Sequence, residues 1–215
     1  MFYDLANLFA RVLLWIVSRP KIVGLENVPQ SGPLIVAANH INWLDPPVLG
    51  AYLPRRIRFM AKIELFQIPI VGWAVAGYEA FPVRRGERDR QAMQAAIEIL
   101  REGSVLGMFP EGTRSKTATL QQGRAGAALL ALRAGVPILP VGISGTQNVF
   151  RFPNILTRPS FQVNIGPVFN LSPVDIGSRE DIYRAVDQLM LRIAALLPPE
   201  YRGVYSLAKD ASKAS

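Results

Sequence analysis

Short apolar runs alternate along the chain with longer stretches in which apolar residues recur every three or four positions. The short runs have the length and composition of buried β-strands, and the longer patterns are typical of amphipathic helices. Strands are predicted at residues 33–38, 57–61, 79–83, 104–109, 137–143 and 161–165.

The helices predicted between these strands end at clear stop signals, which are glycine or proline residues. They cover residues 88–103, ending at Gly103; residues 123–135, ending at Gly135; and residues 178–198, from a Ser178 cap to Pro198. Strands that alternate with helices predict an α/β fold with a largely parallel or mixed central sheet, of about six to seven strands, flanked by helices.

Residues 1–19 carry a different pattern. Their polar positions share one side of a helix: Asp4, Asn7, Arg11 and Ser18. The other side is apolar and includes Trp15, as in helices that lie in a membrane interface. A helix packed on the core of its own domain shows the same pattern, so both interpretations stay open. The uninterrupted apolar run at residues 12–17 is too short to span a bilayer.

The chain is accordingly divided into an amphipathic N-terminal helix at residues 1–19, an α/β domain at 20–203 and a disordered tail at 204–215. Within the domain, residues 65–77 form a further apolar stretch that carries Trp73. This stretch either packs in the core near an active site or contacts a membrane.

Composition narrows the chemistry. The chain has 24 Lys and Arg against 16 Asp and Glu, a formal net charge of +8, which favours an anionic partner such as phosphate, a membrane surface or nucleic acid. Nucleic acid is disfavoured because the arginines are scattered and no nucleic-acid-binding motif is present. The sequence has no cysteine and one histidine, which excludes disulfides, thiolate nucleophiles and metal sites built on thiolates or on several imidazoles.

Polar clusters follow three of the predicted strands. His40 follows the first strand, Arg84 follows the third, and the loop at residues 109–115, FPEGTRS, follows the fourth. In open α/β sheets, ligands bind outside the carboxyl ends of the strands. These three clusters are therefore expected to meet in one site.

His40 and Asp45 are separated by a short turn. Asp45 precedes Pro46 and Pro47, and this arrangement predicts Asp45 as the N-cap of a helix at 46–53. A carboxylate has two oxygens, so Asp45 can also accept a hydrogen bond from the imidazole of His40. A tight turn between the strand and the helix would bring the two side chains together.

The basic and acidic residues of the other two clusters suit anion binding. Arg84 ends an apolar run with a planar, permanently charged guanidinium group that matches phosphate. In the loop at 109–115, a proline and a glycine turn the chain so that Glu111 and Arg114 face outward. This loop is not a P-loop, because Thr113 stands where that motif has its lysine.

These motifs, in this order, resemble those of the glycerolipid acyltransferases, the 1-acyl-sn-glycerol-3-phosphate (lysophosphatidate) acyltransferase family. The resemblance covers about residues 20–170 and rests on the following stretches: N-H-x4-D at 39–45, a strand ending at Arg84, F-P-E-G-T-R-S at 109–115 and V-P-I-L-P-V at 136–141. Each motif alone is weak, but four in this order are specific. Asn42 and Val83 stand where the family commonly has serine and aspartate, and these departures are expected to affect acceptor choice more than activity.

The resemblance implies an O-acyltransferase of phospholipid biosynthesis at the cytoplasmic face of the membrane. Such an enzyme transfers a fatty acyl group from an acyl carrier protein or coenzyme A thioester to the sn-2 hydroxyl of 1-acyl-sn-glycerol 3-phosphate, giving phosphatidic acid, and needs no cofactor besides this co-substrate. The implied partners are a lysophospholipid acceptor, the thioester donor and an anionic membrane surface, where Arg55, Arg56 and Arg58 would meet headgroups.

The resemblance also assigns roles to residues. His40 would be the general base, and Asp45 would orient it. The implied acceptor-binding residues are Lys62, Arg84, Glu111, Gly112, Thr113 and Arg114, and Pro140 would shape the acyl-chain channel. Because a carboxylate beside a phosphate is repulsive, Glu111 would either order the arginines or accept a hydrogen bond from a glycerol hydroxyl.

General chemistry agrees with a single catalytic histidine. A thiol with a pKa near about 8.5 leaves with little acid assistance, so the reaction mainly needs a better nucleophile. An imidazole that removes the proton of the attacking hydroxyl supplies one, and no covalent intermediate is required. Two alternatives remain: an acyltransferase for another acceptor, such as glycerol 3-phosphate, another lysophospholipid or an amine lipid, and a basic membrane-binding module without catalysis.

Overall fold

The computed structural model describes residues 2–83, 90–172 and 174–209. Its strands are β1 (Arg19–Val23), β2 (Leu34–Ala38), β3 (Ile57–Lys62), β4 (Phe81–Val83), β5 (Val105–Met108), β6 (Ile138–Ser144) and β7 (Ser160–Ile165). Its α-helices are α1 (Phe2–Val17), α2 (Asp45–Tyr52), α3 (Pro69–Gly77), α4 (Arg90–Arg101), α5 (Ala125–Ala134) and α6 (Arg179–Ala195). Short 3-10 helices fill several of the connections.

The strands form one seven-stranded mixed sheet in the order β1-β7-β6-β2-β5-β3-β4. All neighbouring strands run parallel except β6 and β7, which are antiparallel. The predicted α/β fold, with a largely parallel or mixed sheet flanked by helices, is confirmed. In this order β2, β5, β3 and β4 are successive neighbours, so their carboxyl ends lie along one edge of the sheet.

Apolar side chains cover both faces of the sheet. On one face, Ile35 and Ala37 of β2 pack with buried residues of α4, α5 and α6. On the other face, Leu34 and Val36 of the same strand pack with α1 and α2. Every residue of β2 and β6 is buried, which explains why these strands are continuous apolar runs rather than alternating patterns.

Helix α1 packs on the domain and exposes its apolar face at the same time. Tyr3 and Leu14 are buried, the Tyr3 hydroxyl accepts a hydrogen bond from the Ile57 N–H at 2.8 Å, and the Arg11 guanidinium donates to the Ala51 carbonyl at 2.9 Å. The large side chains that remain exposed on this helix are Leu5, Leu8, Phe9, Val12, Trp15 and Ile16. Packing of this helix on its own domain is thus observed, and the membrane-interface interpretation stays a prediction for its exposed apolar side.

Membrane crossing has no support among the helices in the described ranges, because none combines sufficient length with sufficient hydropathy to traverse a bilayer. At the other end of the chain, Gly203–Lys209 form a 3-10 helix, and the Val204 N–H donates to the Leu120 carbonyl at 3.3 Å. The remainder of the predicted tail, residues 210–215, lies outside the described residues.

Candidate active site

His40 and Asp45 are in direct contact beyond the carboxyl end of β2. The Nδ1 atom of His40 lies 2.8 Å from Oδ2 of Asp45. Asp45 is fully buried, and 8% of the His40 side chain is exposed. The carboxylate accepts a hydrogen bond from Nδ1–H. The lone pair of the neutral ring is therefore on Nε2, and this nitrogen is the one that can bind a proton from a substrate.

The turn between the two residues is closed by the Asp45 carboxylate. Oδ2 accepts hydrogen bonds from the backbone N–H groups of Ile41 and Asn42, each at 2.7 Å, in addition to the imidazole. Asp45 is itself the first residue of α2, and the N-cap position belongs to Leu44. The predicted N-cap role is therefore wrong, because the carboxylate turns back to the preceding N–H groups instead of forward to those of the helix.

A column of aromatic rings supports the imidazole. The ring of Phe109 stacks on that of His40 with a centroid distance of 4.0 Å, and Phe59 stacks on Phe109 at 6.0 Å. Gly107 lies behind this column, where an added Cβ would stand 2.3 Å from the Phe59 ring. The packing of three strands, β2, β3 and β5, thus fixes the plane of the imidazole.

Glu111 is buried beneath the site and holds the backbone of His40. Its Oε1 accepts the His40 N–H at 2.7 Å, and its Oε2 accepts the Gln121 N–H at 2.9 Å. Only 2% of the residue is exposed, and burial raises the pKa of Glu111 to about 7. The prediction that Glu111 faces outward is therefore wrong, because its carboxylate points inward to two backbone N–H groups.

Four other predicted acceptor-binding residues, namely Lys62, Gly112, Thr113 and Arg114, lie along the same edge of the sheet. Lys62 ends β3, is exposed and pairs with Glu64 at 2.9 Å. Gly112, at a φ of 70°, turns the chain after Glu111, and Thr113 and Arg114 are exposed beyond it. Arg84 lies outside the described residues.

A cavity of about 450 Å³ opens beside this loop. Its lining includes Glu111, Thr113, Gln121, Arg124 and Tyr183. The walls supply hydroxyl, amide and guanidinium groups, which are donors suited to a polar or anionic group. In the described ranges of the chain, no cluster of three or more acidic or histidine side chains could hold a metal ion.

Two side chains of this region make contacts that the motifs did not predict. The Asn39 side chain bonds both the carbonyl and the N–H of Ile143, at 2.8 and 2.7 Å, and so ties the end of β2 to β6. Thr146, just after β6, donates from its hydroxyl to Oδ1 of Asp45 at 2.7 Å. Its distance of 101 residues along the chain from Asp45 explains why spacing did not reveal it.

Pro140 stands inside β6, opposite Ala37 of β2. Its missing N–H is tolerated because the antiparallel ladder with β7 starts one residue later, at Val141, and the Pro140 carbonyl still accepts the Gly166 N–H at 2.9 Å. The residue is buried, and the ring borders Gly166 together with Leu196.

Known proteins share this arrangement of fold and motifs. The acyltransferase family model matches residues 19–144, and the chain belongs to this family. A 1-acyl-sn-glycerol-3-phosphate acyltransferase from Bacillus subtilis is 34% identical over 140 residues, which are 64% of this chain and 69% of the relative. A chloroplastic 1-acyl-sn-glycerol-3-phosphate acyltransferase from Brassica napus is 32% identical over 148 residues, 67% of this chain but only 43% of that longer protein.

Two further similarities bear on structure and acceptor. The crystal structure of the 1-acyl-sn-glycerophosphate (LPA) acyltransferase PlsC from Thermotoga maritima superposes with a TM-score of 0.70 at 26% identity, covering 99% of this chain and 80% of that one. A lyso-ornithine lipid O-acyltransferase from Pseudomonas aeruginosa is 33% identical over 147 residues, 66% of this chain and 56% of the relative. Relatives at about this level of identity thus act on different acceptors.

Proposed function

We propose that this protein transfers a fatty acyl group from an acyl carrier protein or coenzyme A thioester to the sn-2 hydroxyl of 1-acyl-sn-glycerol 3-phosphate, giving phosphatidic acid for phospholipid biosynthesis. Residues 20–203 are the catalytic domain. The observation that carries the proposal is the 2.8 Å contact between a buried carboxylate and the single imidazole. The names of the relatives from Bacillus subtilis and Brassica napus support this acceptor.

His40 acts as the general base in this reaction. Nε2 takes the proton of the sn-2 hydroxyl as its oxygen attacks the thioester carbonyl carbon, and Asp45 stabilises the resulting imidazolium through Nδ1–H. The tetrahedral intermediate then breaks its C–S bond. The departing thiolate recovers the proton from the imidazolium, so the chain returns to its starting state without a covalent intermediate.

The acceptor phosphate is held at the edge formed by the carboxyl ends of β3, β4 and β5. Lys62, Arg84 and Arg114 provide positive charge there, and Gly112 and Thr113 provide backbone and hydroxyl donors. Glu111 contributes indirectly, because its two bonds to backbone N–H groups fix the loop that carries these donors. Pro140 shapes the acyl-chain channel from its buried position in β6.

The substrates are lipids, and the outer face of α1 supports work at a bilayer. This face exposes Trp15 and five other large apolar side chains. Two arginines add positive charge near the helix: Arg11 donates to the Ala51 carbonyl, and Arg158 donates to the Ser18 carbonyl at the end of the helix. Such a face enters the interface between headgroups and acyl chains. The protein is therefore a peripheral or monotopic protein of the cytoplasmic membrane face.

Exposed apolar side chains also occur outside α1. Arg158 places its guanidinium group 5.6 Å from the centre of the Trp15 ring and so joins the end of α1 to the loop that exposes Leu156. Trp43, between His40 and Asp45 in sequence, is 57% exposed and stacks on Phe150. These side chains give an acceptor lipid an apolar path between the bilayer and the imidazole.

Arg56 and Arg58 contribute less to this attraction than Arg55, because carboxylates offset their charges whereas neutral backbone carbonyls do not. Arg55 donates to three backbone carbonyls, and Arg56 and Arg58 pair with carboxylates, including Glu79. The neighbouring stretch at 65–77 is partly outward-facing, since Trp73 is exposed and packs edge-on against Phe2 of α1.

A transfer assay with labelled acyl-acyl carrier protein and labelled acyl-coenzyme A tests the function. With 1-acyl-sn-glycerol 3-phosphate as acceptor, the wild-type protein should form phosphatidic acid from at least one of the two donors. His40→Ala should lower the rate of this transfer by about 10²- to 10⁴-fold while the protein stays folded. Product formation by His40→Ala within tenfold of the wild-type rate would remove the general base. A protein that binds vesicles but transfers nothing from either donor would be a membrane-binding module.

Lyso-ornithine lipid is a second acceptor with a specific observation in its favour, namely the relative from Pseudomonas aeruginosa. This lipid lacks a phosphate, so its use would not need the cations at the sheet edge. The same assay therefore includes lyso-ornithine lipid and glycerol 3-phosphate, and the ratio of their kcat/KM values to that of lysophosphatidate decides the acceptor class.

A further inference from the structure

The second oxygen of Asp45 has a partner of its own. Oδ2 already accepts three hydrogen bonds, from the imidazole and from two backbone N–H groups. Oδ1 accepts one from the hydroxyl of Thr146, at 2.7 Å. An ionised carboxylate only accepts hydrogen bonds, so Thr146 must be the donor.

The loop after β6 is built to place this hydroxyl. Gly145 has a φ of 86°, and a Cβ there would stand 2.6 Å from the Ser160 carbonyl oxygen, so only glycine fits the turn. Thr146 then begins a 3-10 helix and is fully buried. The Asn39 side chain, just after β2, bonds the backbone of Ile143 in β6, three residues before Thr146.

We propose that Thr146 is a positioning residue for the general base, acting through Asp45. Its hydroxyl fixes the rotation of the carboxylate so that Oδ2 faces Nδ1 of His40, and within the described ranges it is the hydrogen-bond donor to the buried Oδ1. This proposal rests on the proposed acyl transfer by His40. It adds a third member to the catalytic pair, from a loop that lies outside all four motifs.

Loss of the Thr146 hydroxyl has a defined chemical consequence. A buried carboxylate that loses one donor attracts the Nδ1 proton more strongly, because hydrogen bonds to an ionised group stabilise its charge. The imidazole then keeps a second proton up to a higher pH, and less of it is the free base that catalysis requires. The carboxylate also becomes free to rotate away from the ring.

The test compares Thr146→Val, which keeps the shape and removes the hydroxyl, with Thr146→Ser, which keeps the hydroxyl. For Thr146→Val, kcat should fall by about 10- to 100-fold with little change in the acceptor KM, and the acidic limb of the kcat/KM profile should move to higher pH. Thr146→Ser should restore kcat to within about twofold and return the limb to its wild-type position. Glu111 is the other titratable side chain bonded to His40, and it is unchanged in all three proteins.

A purely structural role gives a different result. If Thr146→Val lowers the melting temperature but leaves kcat and the acidic limb unchanged, the proposal is wrong. Thr146→Ala replaces Thr146→Val in the same comparison should the valine protein not fold. His40→Ala is measured in the same assay. If its activity is within tenfold of wild type, His40 is not the general base. If His40→Ala is inactive but Thr146→Val behaves like wild type, only the proposed role of Thr146 is overturned.

Discussion

Both backbone polar groups of His40 are held by the loop that contains Glu111. The Glu111 carboxylate accepts the His40 N–H at 2.7 Å, and the Ser115 N–H donates to the His40 carbonyl at 2.8 Å. The loop after β5 and the end of β2 are thus one rigid unit. A buried acidic side chain connects the two motifs in addition to the stacking of Phe109 on the His40 ring, and its carboxyl group makes the connection sensitive to pH.

The first prediction concerns this sensitivity. Burial raises the pKa of Glu111 to about 7, from 4.5 for the free side chain, so the folded protein binds the proton more tightly than the unfolded chain. The contribution of Glu111 to stability is therefore fully present below about pH 4.5 and is lost as the pH rises to about 7. The free energy of unfolding should fall by about 3 kcal/mol across this window through Glu111 alone.

Denaturant unfolding at intervals from pH 5 to pH 8 measures this effect. The amide of Glu111→Gln does not titrate. The difference in unfolding free energy between wild type and this variant should therefore change by about 3 kcal/mol as the pH rises through the range in which Glu111 loses its proton. Glu200→Gln, at an exposed position, should keep the wild-type pH dependence. Parallel curves for wild type and Glu111→Gln would show that Glu111 titrates at its ordinary value.

The structure explains why some features could be predicted from the sequence. Local patterns of apolar residues, which burial alone produces, made several elements predictable. These elements are the buried strands β2, β5 and β6 and the helices that end at glycines. The contact between His40 and Asp45 was predictable because a turn of fixed length joins them. Strand β1 was missed because its sequence, RPKIV, has no apolar run and contains a proline, which is unusual in strands. It is an edge strand with alternating exposure.

Other features depend on contacts that no local pattern marks. Thr146 bonds Asp45 from 101 residues away, and a single threonine has no distinctive neighbours. The role of Glu111 follows from two backbone N–H groups, which every residue except proline carries. The orientation of α1 depends on which groups of the domain face it, so the helical pattern alone did not assign its packed side and its exposed side.

The second prediction tests the phosphate site. Arg114→Lys and Arg84→Lys should each raise the KM for lysophosphatidate by about tenfold and leave the donor KM unchanged, because an ammonium group cannot form the two parallel bonds of a guanidinium group. Arg133→Lys, an exposed arginine in the last turn of α5, is the control and should behave as wild type. A change in the donor KM instead would assign these arginines to the thioester.

The third prediction tests the aromatic column. Gly107→Ala would place a methyl group 2.3 Å from the Phe59 ring and push it toward Phe109, on which the imidazole stacks. Overpacking of this kind costs about 1–3 kcal/mol, and kcat should fall with stability. Gly126→Ala, on α5 with no atom within 4 Å of the added methyl, should be neutral or stabilising. A wild-type kcat in Gly107→Ala would show that the column does not hold the ring.

The fourth prediction separates membrane contact from domain packing in α1. Removal of the whole helix would also uncover the sheet face that Leu14 covers, so only outward side chains are changed. The double substitution Leu8→Ser and Phe9→Ser should weaken cosedimentation with phosphatidylglycerol vesicles by at least about tenfold, because each of these side chains contributes apolar transfer energy. The melting temperature should stay near that of wild type.

Val204→Ser is the matched control, since Val204 is 67% exposed and lies away from α1 in the C-terminal 3-10 helix. It removes an exposed apolar side chain without touching the proposed face, and vesicle binding should persist. Added salt should weaken the binding of wild type and Val204→Ser alike, because Arg11 and Arg158 attract anionic headgroups through a screened interaction. If the α1 double variant binds vesicles as tightly as Val204→Ser, another surface holds the protein on the membrane. In that case the patch around Trp43 and Phe150 becomes the next to be changed.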